Sequence, residues 1–378
     1  MKKIKLLFRI GYVYHKAAFD PIVELLIGNP GYDVWFSLDM EKKRYGFIDM
    51  PYRSRIIGEW EKQGYRFTNE TRGFDIVITG DTIRNSAAYG ETLLCFLNHG
   101  TGVKSILYRN LSKVPDDKYQ IFVEGRHRVE RLQASGRLRK NEVHLIGLPK
   151  LDHYFQGRYK DKKKILEPLG LDTRKKTVLF APTYKPTCMV DVKDDIFEQT
   201  KDYNLIIKLH PYSWMGKYAP HKQHRIFERR AGRYPHAVLL PFDEYNIVPY
   251  YAAADTLISE ASSTVFDFLA LEKFGIVFDL PCDRLHHSDG EPLLEVDNRT
   301  FLDGAFPHID SGKRIGEAVE RALHPTDSMK RKAAEYRRIL FHRLDGRASE
   351  RFVRKMEALY REGGHQNRPA GGRQRISS

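Results

Sequence analysis

Cysteine is scarce: Cys95, Cys188 and Cys282 are the only three in 378 residues. They lie far apart and form no C-x-x-C pair. That excludes a disulfide framework and a cysteine-built zinc site, and it fits a reducing compartment. No apolar run approaches the roughly 18 residues of a membrane-spanning helix. The opening MKKIKLLFRIGYVYHK is basic and then apolar, but Arg9 interrupts a short run and no A-x-A-like site follows. It reads as a first buried strand over Ile4–Phe8, not as a signal peptide. No G-x-G-x-x-G follows that strand, which removes the main support for a dehydrogenase. Neither G-x-x-x-x-G-K-[ST] nor H-E-x-x-H occurs, so a P-loop kinase and a zincin protease are also disfavoured. Asp191, Asp194 and Asp195 lack the spacing of a calcium loop and read as a polar helix start. Neither a metal nor a cofactor is expected.

What is present is a chain of two-domain length, with 41% hydrophobic residues to fill two cores. Lys and Arg outnumber Asp and Glu by 63 to 49, a formal charge of +14. Nucleic acid, an anionic membrane surface and phosphate-rich substrates all suit that excess. No RNP, zinc-finger or helix-turn-helix signature accompanies it, which argues against nucleic acid. The densest basic stretches are 162–164 and 221–236, the second with Lys222, Arg225, Arg229, Arg230 and Arg233. It is read either as a solvated helix face or as a contact for anionic lipid headgroups.

Short apolar runs alternate with helical patterns, the signature of parallel sheets with crossover helices. Strands are expected at Ile4–Phe8, Asp33–Ser37, Asp75–Thr79, Leu93–Leu97, Gln120–Val123 and Val143–Ile146. A second set is expected at Thr177–Phe180, Leu205–Leu209, Ala237–Leu240, Thr256–Ile258 and Ile276–Phe278. The expected fold is α/β and GT-B-like: two Rossmann-like, doubly wound domains facing a cleft. The boundaries read as 1–165, 166–345, a C-terminal helix over 346–362 and a disordered tail over 363–378. Ligands in such sheets bind at the carboxyl ends of strands, so the informative residues should directly follow strands.

They do. In LLCFLNHGTGVKS (93–105) a strand runs into His99 and two glycines, and Thr101 is placed to cap a following helix. A histidine there suits a general base, with an unperturbed pKa of roughly 6.5. In YNLIIKLHPYS (203–213) a second strand ends at His210, with Lys208 two residues earlier. In ADTLISEASSTVFDFLALEK (254–273) a strand reaches Glu260, and Ser262, Ser263 and Thr264 open a helix. Hydroxyls and free N–H groups at a helix start suit a diphosphate, and Glu260 is read as a partner for ribose or base. In VLFAPTYKPT (178–187), Thr183 and Lys185 are placed to meet phosphate or acceptor.

Taken in order, these segments resemble the CDP-glycerol glycerophosphotransferase family, the teichoic acid primases and polymerases. The resemblance rests on HGT at 99–101 with Lys104, GLPKLD at 147–152, LFAPTY at 179–184, KLHP at 208–211, SEASSTVFDFLALEK at 259–273 and DGRASER at 345–351. It implies transfer of glycerol phosphate from CDP-glycerol to a hydroxyl of a prenyl-diphosphate-linked saccharide, with release of CMP. It implies catalytic roles for His99 and His210, and donor-phosphate binding by Ser262, Ser263 and Thr264. Lys208, Glu260 and Thr183 complete the expected donor site. The implied location is cytoplasmic, peripheral on the inner face of the cell membrane. Two departures stand out: Gly102 and Val103 take the places of a usual Pro-Leu, and Glu260-Ala261 those of a usual Asp-Tyr. Ribitol or another polyol phosphate therefore stays open as the transferred group. So does a nucleotide-sugar glycosyltransferase of the same architecture.

Overall fold

A computed structural model of the chain describes residues 3–38, 44–45, 48–49, 52–83, 86–113, 119–136, 142–214, 223–287, 289–296 and 299–363. Beyond Gly363 the tail expected to be disordered lies outside the described residues, as does Lys222 of the basic stretch.

The first sheet comprises β1 (Ile4–Ile10), β2 (Tyr32–Leu38), β3 (Ile76–Thr79), β4 (Leu93–Leu97), β5 (Tyr119–Val123) and β6 (Val143–Leu145). Its order is β2-β1-β3-β4-β5-β6, and every pairing is parallel. The second comprises β7 (Thr177–Phe180), β8 (Asn204–Ile207), β9 (Ala237–Leu239), β10 (Thr256–Ser259), β11 (Phe274–Phe278) and β12 (His308–Ile309). Its order is β9-β8-β7-β10-β11-β12, again parallel throughout. These are the two common doubly wound orders. All strands expected from the apolar runs are present. The strands not foreseen, β12 and a separate antiparallel pair at Arg44–Tyr45 and Ile48–Asp49, have only two residues each, too few to carry a pattern.

The strands bury both faces, which is why they read as continuous apolar runs. In β1, Leu6, Phe8 and Ile10 join one core while Leu7 joins another on the opposite face. Ile76 and Ile78 of β3 part from Val77 in the same way. The helices that bear on the site are α1 (His15–Ile27), α2 (Gln223–Ala231) and α3 (Ser263–Ala270), with α4 (Ala348–Glu362) closing the chain. Apolar residues of α4 recur at helical spacing, and Phe352, Met356, Leu359 and Tyr360 pack into the first sheet's core. Residues Leu148, Leu151 and Leu166 pack into the second.

Each sheet reverses its winding between two strands, and there a crevice opens at their carboxyl ends. In the first sheet the reversal falls between β1 and β3. Gly11 to His15 follow the one, and Gly80 and Asp81 the other. In the second it falls between β7 and β10, where Ala181 to Thr183 and Glu260 to Ser262 stand. Among the described residues no helix is long and apolar enough to cross a membrane.

Candidate active site

β4 passes straight into Asn98 and His99. The loop behind His99 is braced by buried polar groups. Asn98 Nδ2 donates to Glu124 Oε2 (2.7 Å) and to the Gly100 carbonyl (3.1 Å). Arg128 donates to Glu124 (3.1 Å), to the Tyr108 hydroxyl (2.7 Å) and to the Gly102 carbonyl (3.0 Å). Such a network fixes one loop geometry in a low-dielectric setting. Thr101 does not cap a helix: the next one begins at Ile106, and Thr101 Oγ1 is buried without a hydrogen-bond partner among the described residues.

β8 ends at Ile207, so Lys208 and Leu209 have already left the strand when the chain reaches His210. His210 keeps an extended backbone, and Pro211 opens a short turn. The Tyr212 backbone N–H donates to His210 Nδ1 at 3.1 Å. A neutral imidazole whose Nδ1 accepts must carry its hydrogen on Nε2. His210 is therefore a donor at its other nitrogen.

The two histidine loops meet. The ring of Tyr14, just before α1, lies 5.6 Å from that of His99 and 5.4 Å from that of His210. Tyr184 stands 4.5 Å from His210, and Tyr12 stands 5.4 Å from Tyr212, so aromatic rings from both halves wall the cleft. Burial, reinforced by neighbouring His15, lowers the pKa of His99 to about 3. Burial, and then the charges of Lys104 and Lys208, push His210 well below the ordinary histidine value. Both rings are thus neutral near pH 7. Lys208 is itself buried, which lowers it to about 8 against the opposing pull of Glu244. Burial also lowers Lys104, partly offset by Glu260. Two ammonium groups beside His210 make this the positive side of the cleft.

Ser262 caps α3, its hydroxyl accepting from the Thr264 N–H at 3.4 Å. Thr264 Oγ1 is buried without a hydrogen-bond partner among the described residues. The helix start abuts the His99 loop: a Cβ on Gly100 would sit 2.9 Å from Cβ of Ser263. That contact explains the glycine, which lets two backbones from different halves approach. Glu260 is buried, with Oε2 accepting from the Thr183 N–H (2.8 Å) and Oε1 from the Cys188 N–H (2.6 Å). The Thr183 hydroxyl donates to the Pro186 carbonyl. The polar atoms of these two side chains thus hold the 181–188 loop in shape.

His99, His210, Lys208 and the Ser262–Thr264 helix start therefore gather around one cleft, with Glu260 and Thr183 behind it. Tyr14, His15 and Asp81 belong to the same place and were missed in the sequence. His15 is fully buried, its ring 4.3 Å from that of His99. The available signal was position: His15 and Asp81 follow the two strands that flank the first reversal. Which strands are neighbours, however, is not written in local pattern. Chemically, the cleft offers a neutral imidazole on one side. On the other stand a donor imidazole, two ammonium groups and a helix start.

The chain is 30% identical over 142 residues to the teichoic acid glycerol-phosphate primase of Bacillus subtilis (strain 168). That stretch is 36% of this chain and 33% of the primase, so the match spans about a third of that curated relative. In fold it is similar to the wall teichoic acid polymerase TagF, with a TM-score of 0.65 at 14% identity, covering 96% of this chain and 90% of that one. It is also similar to a UDP-N-acetylglucosamine 2-epimerase, with a TM-score of 0.54 at 14% identity, covering 98% and 100%. At that identity both likenesses speak for the GT-B-like fold alone. The family model for CDP-glycerol:poly(glycerophosphate) glycerophosphotransferases matches residues 98–358, a span running from the His99 loop through the cleft into α4, and the chain belongs to that family.

Proposed function

We propose that the chain moves glycerol phosphate, or a related polyol phosphate, from a CDP-activated donor to a hydroxyl of a prenyl-diphosphate-linked saccharide. CMP is released, and the product enters a cell-wall or surface polymer. The observation that carries this reading is the convergence of His99, His210 and the α3 start around Tyr14 in a member of this family.

An acceptor hydroxyl is far too weak an acid to ionise alone at pH 7, so a base must take its proton as the new O–P bond forms. His99 has that role: both rings are neutral, but His210 Nδ1 is already occupied by the Tyr212 N–H, whereas His99 Nδ1 has no hydrogen-bond partner among the described residues. The donor diphosphate brings negative charge close to the ring, which raises its basicity in the complex. As the P–O bond to CMP breaks, charge grows on the leaving phosphate. His210 Nε2–H, Lys208, Lys104 and the N–H groups at the α3 start are the donors that meet it. Ser262 and Ser263 add hydroxyls at the same helix start. Glu260 and Thr183 act one layer back, by shaping the 181–188 loop. In this reading residues 1–165 present the acceptor and residues 166–345 hold the donor.

The exposed side of α2 and its continuation carries Arg225, Ile226, Arg229 and Arg233, with Glu228 as an acidic residue among them. Cations around an exposed aliphatic side chain suit an anionic membrane surface. This supports a peripheral position on the inner membrane face, where a lipid-linked acceptor is met. Sedimentation with anionic liposomes at low salt tests that position; a chain left in the supernatant would refute it.

The reaction is tested by offering CDP-glycerol, CDP-ribitol and UDP-sugars with a lipid-linked saccharide and identifying the released nucleotide. CMP is expected. It should vanish in His99→Ala while calorimetry shows donor binding nearly intact. Unchanged turnover in that variant removes His99 from the mechanism, and UDP as the product replaces polyol-phosphate transfer with sugar transfer.

A further inference from the structure

His15 is the first residue of α1 and is fully buried. Neither ring nitrogen has a hydrogen-bond partner among the described residues. A buried polar group without a partner costs about 1–3 kcal/mol. A phenylalanine would fill the same space without that cost, so packing alone is a poor reason for an imidazole here. Its surroundings supply a better one. On one side the ring lies 4.3 Å from that of His99, tilted by 49°. On the other, Nε2 is 3.9 Å from Oδ2 of Asp81.

The backbone is arranged to allow this stack. A Cβ on Gly80 would come within 3.0 Å of the His15 ring, and one on Gly11 within 2.6 Å of Asp81 Oδ2. Both glycines stand at the β1/β3 reversal. Asp81 is fixed by its own turn, in which its N–H donates to Thr79 Oγ1 (3.1 Å) and the Thr79 hydroxyl donates to its carbonyl (2.8 Å). Its carboxylate is a third exposed, whereas burial lowers the pKa of His15 to about 3, so that ring is neutral near pH 7.

We propose that Asp81 and His15 form a carboxylate–imidazole pair behind His99 that positions its ring and balances the positive charge it gains during transfer. This rests on His99 being the base. Closing the 3.9 Å gap by about 1 Å brings His15 Nε2–H to hydrogen-bond length from Asp81. The neutral tautomer is then Nε2–H, and Nδ1 is left as an acceptor on a ring packed against His99. When His99 takes the acceptor proton, it becomes an imidazolium in a low-dielectric cleft, where Lys150 opposes the new charge and Asp81 favours it. Among the described residues, the rings of Tyr12 and Tyr14 also pack against His15. His15 and Asp81 are positioning residues. The proton passes from the acceptor hydroxyl to His99 as that oxygen bonds to phosphorus and the P–O bond to CMP breaks; no bond of His15 or Asp81 changes.

Asp81→Asn is the informative variant, because a third-exposed carboxylate can be changed without emptying the core. Its kcat should fall about 10-fold or more, a part of the 10²–10⁴ that a general base contributes, while KM for the donor and the melting temperature hold. His15→Phe should lose kcat similarly, and His15→Gln should recover part of it. In ¹⁵N spectra at neutral pH, the His15 ring should be mainly Nε2–H in the native chain and a tautomer mixture in Asp81→Asn. A kcat within about 2-fold of the native value in Asp81→Asn overturns the proposal. So does a loss shared equally by kcat, donor affinity and melting temperature. If the native chain turns over no CDP-activated donor, the functional reading fails. The tautomer measurement then still decides whether Asp81 and His15 are paired.

Discussion

At the scale of single residues, the cleft depends on what burial does to charge. His99 is held to about pH 3 and Lys208 to about pH 8, in both cases because the site disfavours the charged form. The consequences for pH are opposite in sign. A base is active when deprotonated, so a lowered pKa keeps His99 competent well into acid. A phosphate-binding lysine is active when protonated, so a lowered pKa removes its charge early in alkali. The profile of kcat/KM measured from about pH 5 to pH 10 should therefore show no acid limb at the ordinary histidine position, and a fall through about pH 8. Lys208→Arg keeps its charge and should move that fall upward. An acid limb near pH 6.5 would show that His99 is not buried as described.

At the scale of elements, the site is a set of chain segments pressed together after strands. A close contact joins the His99 loop to the start of α3, where Gly100 faces Ser263. Adding a methyl group there must separate the base from the donor helix by a few tenths of an ångström or more. Gly100→Ala should lower kcat/KM by up to about 100-fold, the cost that a 1 Å misplacement can carry. Its thermal melt should be nearly unchanged, because the contact lies at a cleft and not in a core. A normal kcat/KM would mean that the loop relaxes freely. The 181–188 loop shows the same logic from behind. Glu260 spends both carboxylate oxygens on backbone N–H groups, so its effect on the donor runs through the loop it holds.

At the scale of the molecule, the cleft exists because the two halves are tied across it. Lys16 donates to the Tyr245 hydroxyl at 2.8 Å, Arg131 to Glu295 at 2.6 Å, and the Glu295 N–H to the Val103 carbonyl at 2.8 Å. The chain also returns: after building the second sheet it sends α4 back to the first. Phe352 is fully buried there, its ring 4.6 Å from that of Phe122. Phe352→Ala should cost about 3–5 kcal/mol in a urea titration, the usual range for a buried aromatic truncated to alanine. A cost under about 1 kcal/mol would mean that α4 does not complete that core.

The strand positions and the fold class were legible in the sequence, because strands buried on both faces leave dense apolar runs and helix starts leave caps such as Ser262. The histidine loops were legible too, since a histidine directly after a buried strand is a local pattern. Neighbourhood was not. That β1 lies beside β3, and so that His15 and Asp81 stand behind His99, depends on sheet order, which many sequences of the same local pattern leave open. The short strand at His308–Ile309 and the true end of β8 were set by pairing with neighbours. So was the use of Glu260 as a loop anchor. The sequence by itself determined which segments would be buried and which side chains would follow them. The tertiary structure decided which of those side chains share one low-dielectric cleft, because burial, and with it the charge state of each group, is a property of what packs around it.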